Sequence, residues 1–128
     1  MTAPEGPLAT LLIADDDPLV RGVLRMAFSR AGYLVFEARD ALETVAGVAA
    51  HDPDLVVLDI NMPGGTVHDT LGSLRDRSPE LPVLVLSGES HPPADLSGLA
   101  WEFASKPIDL HDLLARVQRL ISRADDGA

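Results

Sequence analysis

Five side chains in this sequence could do charge-driven chemistry together, and each stands where an apolar run stops. Asp15 and Asp16 follow Ala-Thr-Leu-Leu-Ile-Ala, Asp59 ends Leu-Val-Val-Leu, Ser87 ends Val-Leu-Val-Leu, and Lys106 follows Trp-Glu-Phe-Ala-Ser. Taken singly they are ordinary, because Asp caps helices, Ser makes turns and a surface Lys is solvated. Gathered at one sheet edge they would be another matter. Three carboxylates within a few ångströms do not all stay ionised without a compensating cation. An all-oxygen donor set, with no Cys and no clustered His, suits Mg²⁺ better than Zn²⁺. Mg²⁺ held by one or two carboxylates keeps positions open for waters and a phosphate oxygen. The chemistry expected is therefore phosphoryl transfer. Asp59 would be the in-line nucleophile and form an aspartyl phosphate, with Lys106 and Ser87 neutralising the transferred oxygens.

The elements that must position these groups are legible as a strand–helix alternation. Short, bulky, β-branched runs predict strands at 9–14, 33–37, 54–59, 83–86 and 101–105, the two central ones apolar enough to be buried on both faces. Between them, helical spacing predicts a helix from Pro18, capped by Asp17, with Leu19, Val23, Leu24, Ala27, Phe28 and Ala31 on its apolar side and Gly32 ending it. A second helix is expected over 40–50, apolar at Leu42, Val45, Ala46 and Ala49, and a third carries Val67, Leu71 and Leu74. A last one over 109–123 has the stripe Leu110, Leu113, Leu114, Val117, Leu120 and Ile121, with Arg116, Arg119 and Arg123 suiting its negative end. Pro92 and Pro93 leave room for one or two helical turns over 94–99. Five such units imply an α/β fold: a doubly wound parallel sheet of five strands, order 2-1-3-4-5. That order puts the first and third strands side by side, so Asp15, Asp16 and Asp59 face one crevice at the carboxyl edge.

Composition bounds the function. A chain of 128 residues, 46% hydrophobic, is one folded domain with a full core. Its formal charge of −10 opposes binding of nucleic acid or an anionic membrane by this domain. The apolar runs are far too short for a membrane span, and the first seven residues show no signal-peptide pattern. The absence of cysteine rules out disulfides and fits a cytoplasmic protein. Domain boundaries are expected at 1–8 for a disordered tail, 9–123 for the domain, and 124–128 for a C-terminal tail or the start of a linker. His51, His68, His91 and His111 lie in separate segments without ligand spacing, and Trp101 is expected in a half-buried packing role.

Across nearly its whole length the chain resembles the receiver domain of two-component response regulators, the CheY-like superfamily. The resemblance is carried by L-L-I-A-D-D-D-P, D-L-V-V-L-D-I-N-M-P-G, V-L-V-L-S-G-E and E-F-A-S-K-P-I. It implies a flavodoxin-like fold and a signalling domain, not a metabolic enzyme, that catalyses its own aspartyl phosphorylation and dephosphorylation. By resemblance Asp59 is the phosphoacceptor. Asp16 and Asp59 bind Mg²⁺ directly, Asp15 acts through water, and Asn61 lends a backbone carbonyl. Ser87 and Phe103 are the switch pair, Lys106 pairs with the phosphoryl group, and Pro107 follows a cis bond. Asn61 and Glu89 take the two variable positions that tune phosphoryl lifetime. The implied partners are a sensor histidine kinase or histidine phosphotransfer protein and a downstream protein or effector domain, with homodimerisation allowed.

Two departures stand beside this. Ser87 and Lys106 are 19 residues apart, shorter than usual for the family, and Pro92-Pro93 falls where a fourth helix should start. A short or irregular fourth helix is expected there. Gly64-Gly65-Thr66-Val67 replaces the frequent Gly-Met-Asp-Gly beside the phosphosite. The alternatives are a receiver-fold scaffold that works by docking alone and an aspartyl-nucleophile phosphohydrolase. The second is disfavoured because Asp59-Ile60-Asn61 lacks the second Asp of Asp-x-Asp. A flavodoxin is disfavoured by an acidic first turn, where a flavin phosphate needs a loop rich in Ser, Thr and Gly.

Overall fold

The computed structural model describes residues 8–88, 98–107 and 109–126. Five strands are present: β1 (Thr10–Ala14), β2 (Leu34–Ala38), β3 (Leu55–Asp59), β4 (Val83–Ser87) and β5 (Glu102–Ser105). Among the described residues four helices join or follow them: α1 (Pro18–Arg30), α2 (Ala41–His51), α3 (Val67–Arg77) and α4 (Leu110–Asp126). All neighbours pair in parallel, in the order β2-β1-β3-β4-β5. The expected topology is the observed one. Of the short fourth helix expected over 94–99, residues 94–97 lie outside the described residues, as does Glu89, and 98–99 form a turn.

Alternation along the strands divides the core into two layers. Leu11, Ile13, Leu55, Val57, Leu84 and Leu86 pack with Leu24 and Phe28 of α1 and Leu113, Val117 and Leu120 of α4. Leu12, Val56, Leu58, Val83 and Val85 pack on the other face with Val48 of α2 and Leu71 and Leu74 of α3. Both β3 and β4 are buried at every position, as a parallel strand covered on two faces must be.

The helix starts follow local chemistry. Asp17 caps α1 by accepting from the Leu19 N–H at 2.9 Å, with Pro18 in the first turn. Asp40 caps α2 by accepting from Glu43 N–H at 2.8 Å, so this helix begins one residue after the expected start. Thr66, within the unusual loop, caps α3 through the Asp69 N–H at 3.0 Å. Each such cap satisfies a backbone donor that the helix leaves unpaired and contributes about 1 kcal/mol.

The buried helix faces differ from those expected. In α2, Ala41, Thr44 and Val48 are buried, whereas Leu42 is 76% exposed and Ala46 and Ala49 face solvent. Gly47 explains the rotation. A Cβ there would stand 3.2 Å from Leu12 Cδ1, so α2 lies close on β1 along its glycine side. In α1 only Leu24 and Phe28 are buried, leaving Leu19 at 78% and Val23 at 53% exposed. In α4, Leu113, Val117 and Leu120 are fully buried but Leu110 is exposed. Its arginines do more than suit the helix end. Arg116 and Arg119 both reach Glu102 of β5, at 3.0 and 2.6 Å, while Arg123 lies 4.6 Å over the half-buried Trp101 ring. No helix among the described residues is long and apolar enough to cross a membrane.

The buried and stranded leucines of these stripes should behave differently. Leu113→Ala removes packing from a fully buried site and is expected to cost about 2–5 kcal/mol. Leu19→Ala should stay within about 0.5 kcal/mol of wild type. Urea unfolding of both variants measures the contrast, and equal losses would contradict this packing.

Candidate functional site

Register brings the acids together. Ala14 pairs with Leu58 across β1 and β3, so the next residue on each strand, Asp15 and Asp59, meets its counterpart at the carboxyl edge. Asp15 N–H bonds the Ala38 carbonyl of β2, and Ile60 N–H bonds Leu86 of β4, which extends both ladders past the last paired residues. Ser87 ends β4 opposite Ser105 of β5. The backbone N–H of Lys106 then donates to the Ser87 carbonyl at 2.6 Å, holding the lysine at the same edge. The Lys106–Pro107 peptide is cis, as expected.

At the centre, Lys106 Nζ donates to Asp59 Oδ1 at 2.9 Å and lies 3.7 Å from Asp15 Oδ2. Carboxylate oxygens of Asp15, Asp16 and Asp59 all lie within 4.8 Å of one another. Asp15, Asp59 and Ser87 are buried, while Asp16 is exposed and gives the cluster an open side. Asn61 follows on the rim, its N–H donating to Asp59 Oδ1 at 3.2 Å. Phe103 sits partly buried against the core layer under α2 and α3. The structure thus brings Asp15, Asp16, Asp59, Asn61, Ser87 and Lys106 to one edge.

The electrostatics are unfinished as they stand. Three carboxylates and one ammonium leave two negative charges in a largely buried place. Asp15 Oδ1 accepts the Asp17 N–H at 2.9 Å, but Oδ2 is buried with no hydrogen-bond partner. Burial is the main force pushing the Asp15 carboxyl above the usual carboxylate range. Asp59 and Asp16 add to it, while the Asp17 N–H and Lys106 oppose it. A hard divalent cation would answer both the excess charge and the bare oxygen, so the residues present fit Mg²⁺.

Two arginines that serve main-chain oxygens were invisible in the sequence pattern, one beside the site and one away from it. Arg21 Nη1 donates to the main-chain oxygen of Asp15 at 2.8 Å while its Nε donates to Glu37 Oε1 at 3.0 Å. Arg75 Nε donates to the Leu99 carbonyl at 2.7 Å and its Nη1 to those of Ser78 and Pro79 at 3.2 Å, tying the end of α3 to the segment entering β5. Nothing in the spacing of an arginine on a polar helix face announces a main-chain acceptor. Of the expected histidine positions, His51 stacks flat on Phe36 at 3.6 Å, and His91 lies outside the described residues.

A parallel sheet of this order with an acidic cluster and a lysine at its carboxyl edge defines a class of protein, and the comparisons agree on it. The family model described as response regulator receiver domain matches residues 11–118. The chain belongs to that family. It is 38% identical over 117 residues to the DNA-binding transcriptional regulator NtrC of Rhizobium meliloti, covering 89% of this chain and 24% of that protein. It is 38% identical over 123 residues to the response regulator MprA of Mycolicibacterium vanbaalenii, covering 92% of this chain and 53% of that one. The chain therefore spans only a quarter to about half of these relatives. Among solved structures, chemotaxis response regulator CheY4 of Vibrio cholerae is similar at TM-score 0.82 and 27% identity, covering 88% of this chain and 98% of that chain. Response regulator TrrA of Thermotoga maritima, solved in complex with Mg²⁺ and BeF, is similar at TM-score 0.80 and 29% identity, covering 88% and 99%.

The raised carboxyl of Asp15 sets a testable pH dependence. The folded protein keeps this proton to higher pH than the unfolded chain does, so the folded state binds more protons between the two values. Stability from this group therefore falls as pH rises through that window. In metal-free buffer, Asp15→Asn is expected to raise Tm by about 2–5 °C at about pH 7. The gain should shrink as pH falls toward the unfolded carboxylate value. Melting curves across this range check it, and a lower Tm for the variant at neutral pH would refute it.

Proposed function

We propose that Asp59 accepts a phosphoryl group from a sensor histidine kinase or a histidine phosphotransfer protein in a Mg²⁺-dependent reaction, and that the aspartyl phosphate changes binding to a downstream protein or effector domain. One observation carries the reading: the buried Asp59 carboxylate, bonded to Lys106 Nζ at 2.9 Å, lies in one cluster with Asp15 and Asp16. Asp59 attacks phosphorus while the bond to the donor's imidazole nitrogen breaks, and its carboxylate oxygen gains the phosphoryl group. Lys106, already at the attacking carboxylate, follows the charge onto the phosphoryl oxygens, and the Ser87 hydroxyl takes another of them. Asp15, Asp16, Asp59 and the Asn61 carbonyl would hold Mg²⁺, which when bound supplies the positive charge these oxygens need. The Mg²⁺–BeF complex of the related Thermotoga protein supports the same pairing of metal and phosphoryl mimic.

Ser87 and Phe103 form the switch in this reading. Asn61, on the rim, and Glu89 tune the lifetime of the phosphoryl group. The charge of −10 and the lack of cysteine support a cytoplasmic domain without direct nucleic-acid contact. The exposed apolar face of α1 supports a protein donor. Leu19, Val20, Val23 and Leu110 line a groove of about 550 Å³ whose wall includes Lys106 and Pro107, so a partner covering it reaches the site.

Incubation with Mg²⁺ and acetyl phosphate, followed by intact mass measurement, should show an adduct of about 80 Da that is absent from Asp59→Asn. Lys106→Met should slow its formation about a hundredfold. No adduct on the wild type, under conditions that load a control receiver, would overturn the proposal. Val23→Asp should leave acetyl phosphate labelling unchanged and impair transfer from a phosphohistidine protein at least tenfold, since a desolvated charge at an interface costs more than about 1.4 kcal/mol.

A further inference from the structure

Asp15 is tied down at every polar atom but one. Its N–H bonds the Ala38 carbonyl, its Oδ1 accepts the Asp17 N–H, and its main-chain oxygen accepts from Arg21 Nη1 at 2.8 Å. Only the buried Oδ2 is left without a hydrogen bond, 3.7 Å from the lysine that holds Asp59. Two of the three tethers come from neighbouring backbone and follow from the chain path. The third is a side chain from the first turns of α1, and it is itself immobilised. The Arg21 side chain is only 17% exposed, and its Nε is held by Glu37 Oε1 at 3.0 Å. Glu37 in turn takes Arg25 on its other oxygen at 3.2 Å. The planar guanidinium thus spans from the penultimate residue of β2 to the peptide that ends β1, across the mouth of the β1–α1 turn. A fork held at one prong by a carboxylate presents its other prong in a fixed direction, which a lysine could not do.

We propose that Arg21 is a positioning residue for the divalent cation: it fixes the Asp15 peptide, and with it the turn that carries Asp15 and Asp16, in the geometry that binds the metal. This rests on the Mg²⁺ reading of the acidic cluster. Groups that orient metal ligands through one further bond change affinity by about tenfold to a hundredfold when removed. Arg21 does so without touching the metal or the phosphoryl group. The charge argument has the opposite sign. Removing a cation beside an acidic metal site lowers the competing positive potential and should tighten Mg²⁺ binding. A positioning role therefore predicts weaker binding where simple electrostatics predicts stronger.

Mg²⁺ binding to the phosphate-free protein, measured by titration calorimetry, separates them. Arg21→Met is expected to raise the Kd for Mg²⁺ at least tenfold while the metal-free protein still melts cooperatively. Arg21→Gln, which is polar but too short to span Glu37 and Asp15, should do the same and serves if the methionine variant fails to fold. Arg25→Met removes an equal charge and a contact to the same glutamate but leaves the Asp15 oxygen held, so its Kd should stay within about twofold of wild type. An unchanged or lower Kd in Arg21→Met, or an equal rise in Arg25→Met, overturns the positioning role. Failure of the underlying reading looks different: wild type would then bind no Mg²⁺, or Asp16→Asn would bind it as well as wild type.

Discussion

The structure is organised around a charge that its own residues do not balance. Parallel strands deliver their carboxyl ends to one edge, and here two of those ends carry three acids within 4.8 Å of one another and a third carries a lysine. Burying charge costs several kcal/mol per ion unless it is paired. Lys106 meets part of that cost at 2.9 Å from Asp59. The remainder is left standing, visible in the bare Oδ2 of Asp15 and in the raised affinity of that carboxyl for a proton. The cation and phosphoryl chemistry proposed for the domain follow from this surplus.

Holding such a surplus requires a frame that does not relax. The two central strands are buried at every position, with a layer of side chains on each face, so the edge cannot slide to separate the acids. A one-residue slip of β3 would turn every side chain to the other layer. Local devices then fix the loops: Asp17 both caps α1 and donates its N–H to Asp15, and Lys106 bonds Ser87 through the backbone before its side chain reaches Asp59. Arg21 and Arg75 serve main-chain oxygens in the same spirit, one beside the site and one at the opposite end of the sheet's connections.

The surface around this frame is not uniformly polar. The apolar side of α1 has too many large residues for the core it faces. Leu24 and Phe28 fill the layer above Leu11 and Ile13, and Leu19, Val20, Val23 and Met26 are left exposed in a contiguous patch. Exposed apolar groups scattered singly need no explanation, but a contiguous patch of them is the usual mark of an interaction surface, in keeping with the partner docking proposed for this face. The patch and the acidic cluster share Lys106 as a common wall, so the chemistry and the partner recognition proposed for the domain meet at one residue.

The sequence by itself determined the strand count, the sheet order, the residues at the strand ends and the cap at Asp17. These follow from local period, turn chemistry and the handedness of crossovers, all of which act over a few residues or through rules that allow few topologies. It also carried the family, because the acids, the serine and the lysine stand in motifs whose order is distinctive. What only the tertiary structure decided is which apolar face is buried and which polar side chain finds which oxygen. Leu42 and Leu19 read as core and are exposed, because the close approach at Gly47 and the finite width of the layer over β1 choose other residues. Arg21 reads as one solvated arginine among several. Its acceptor is the peptide oxygen of Asp15, and its anchor is a glutamate 16 residues away on another strand. Period in a sequence reports where a side chain points on its own element; partners across elements exist only once the elements have packed.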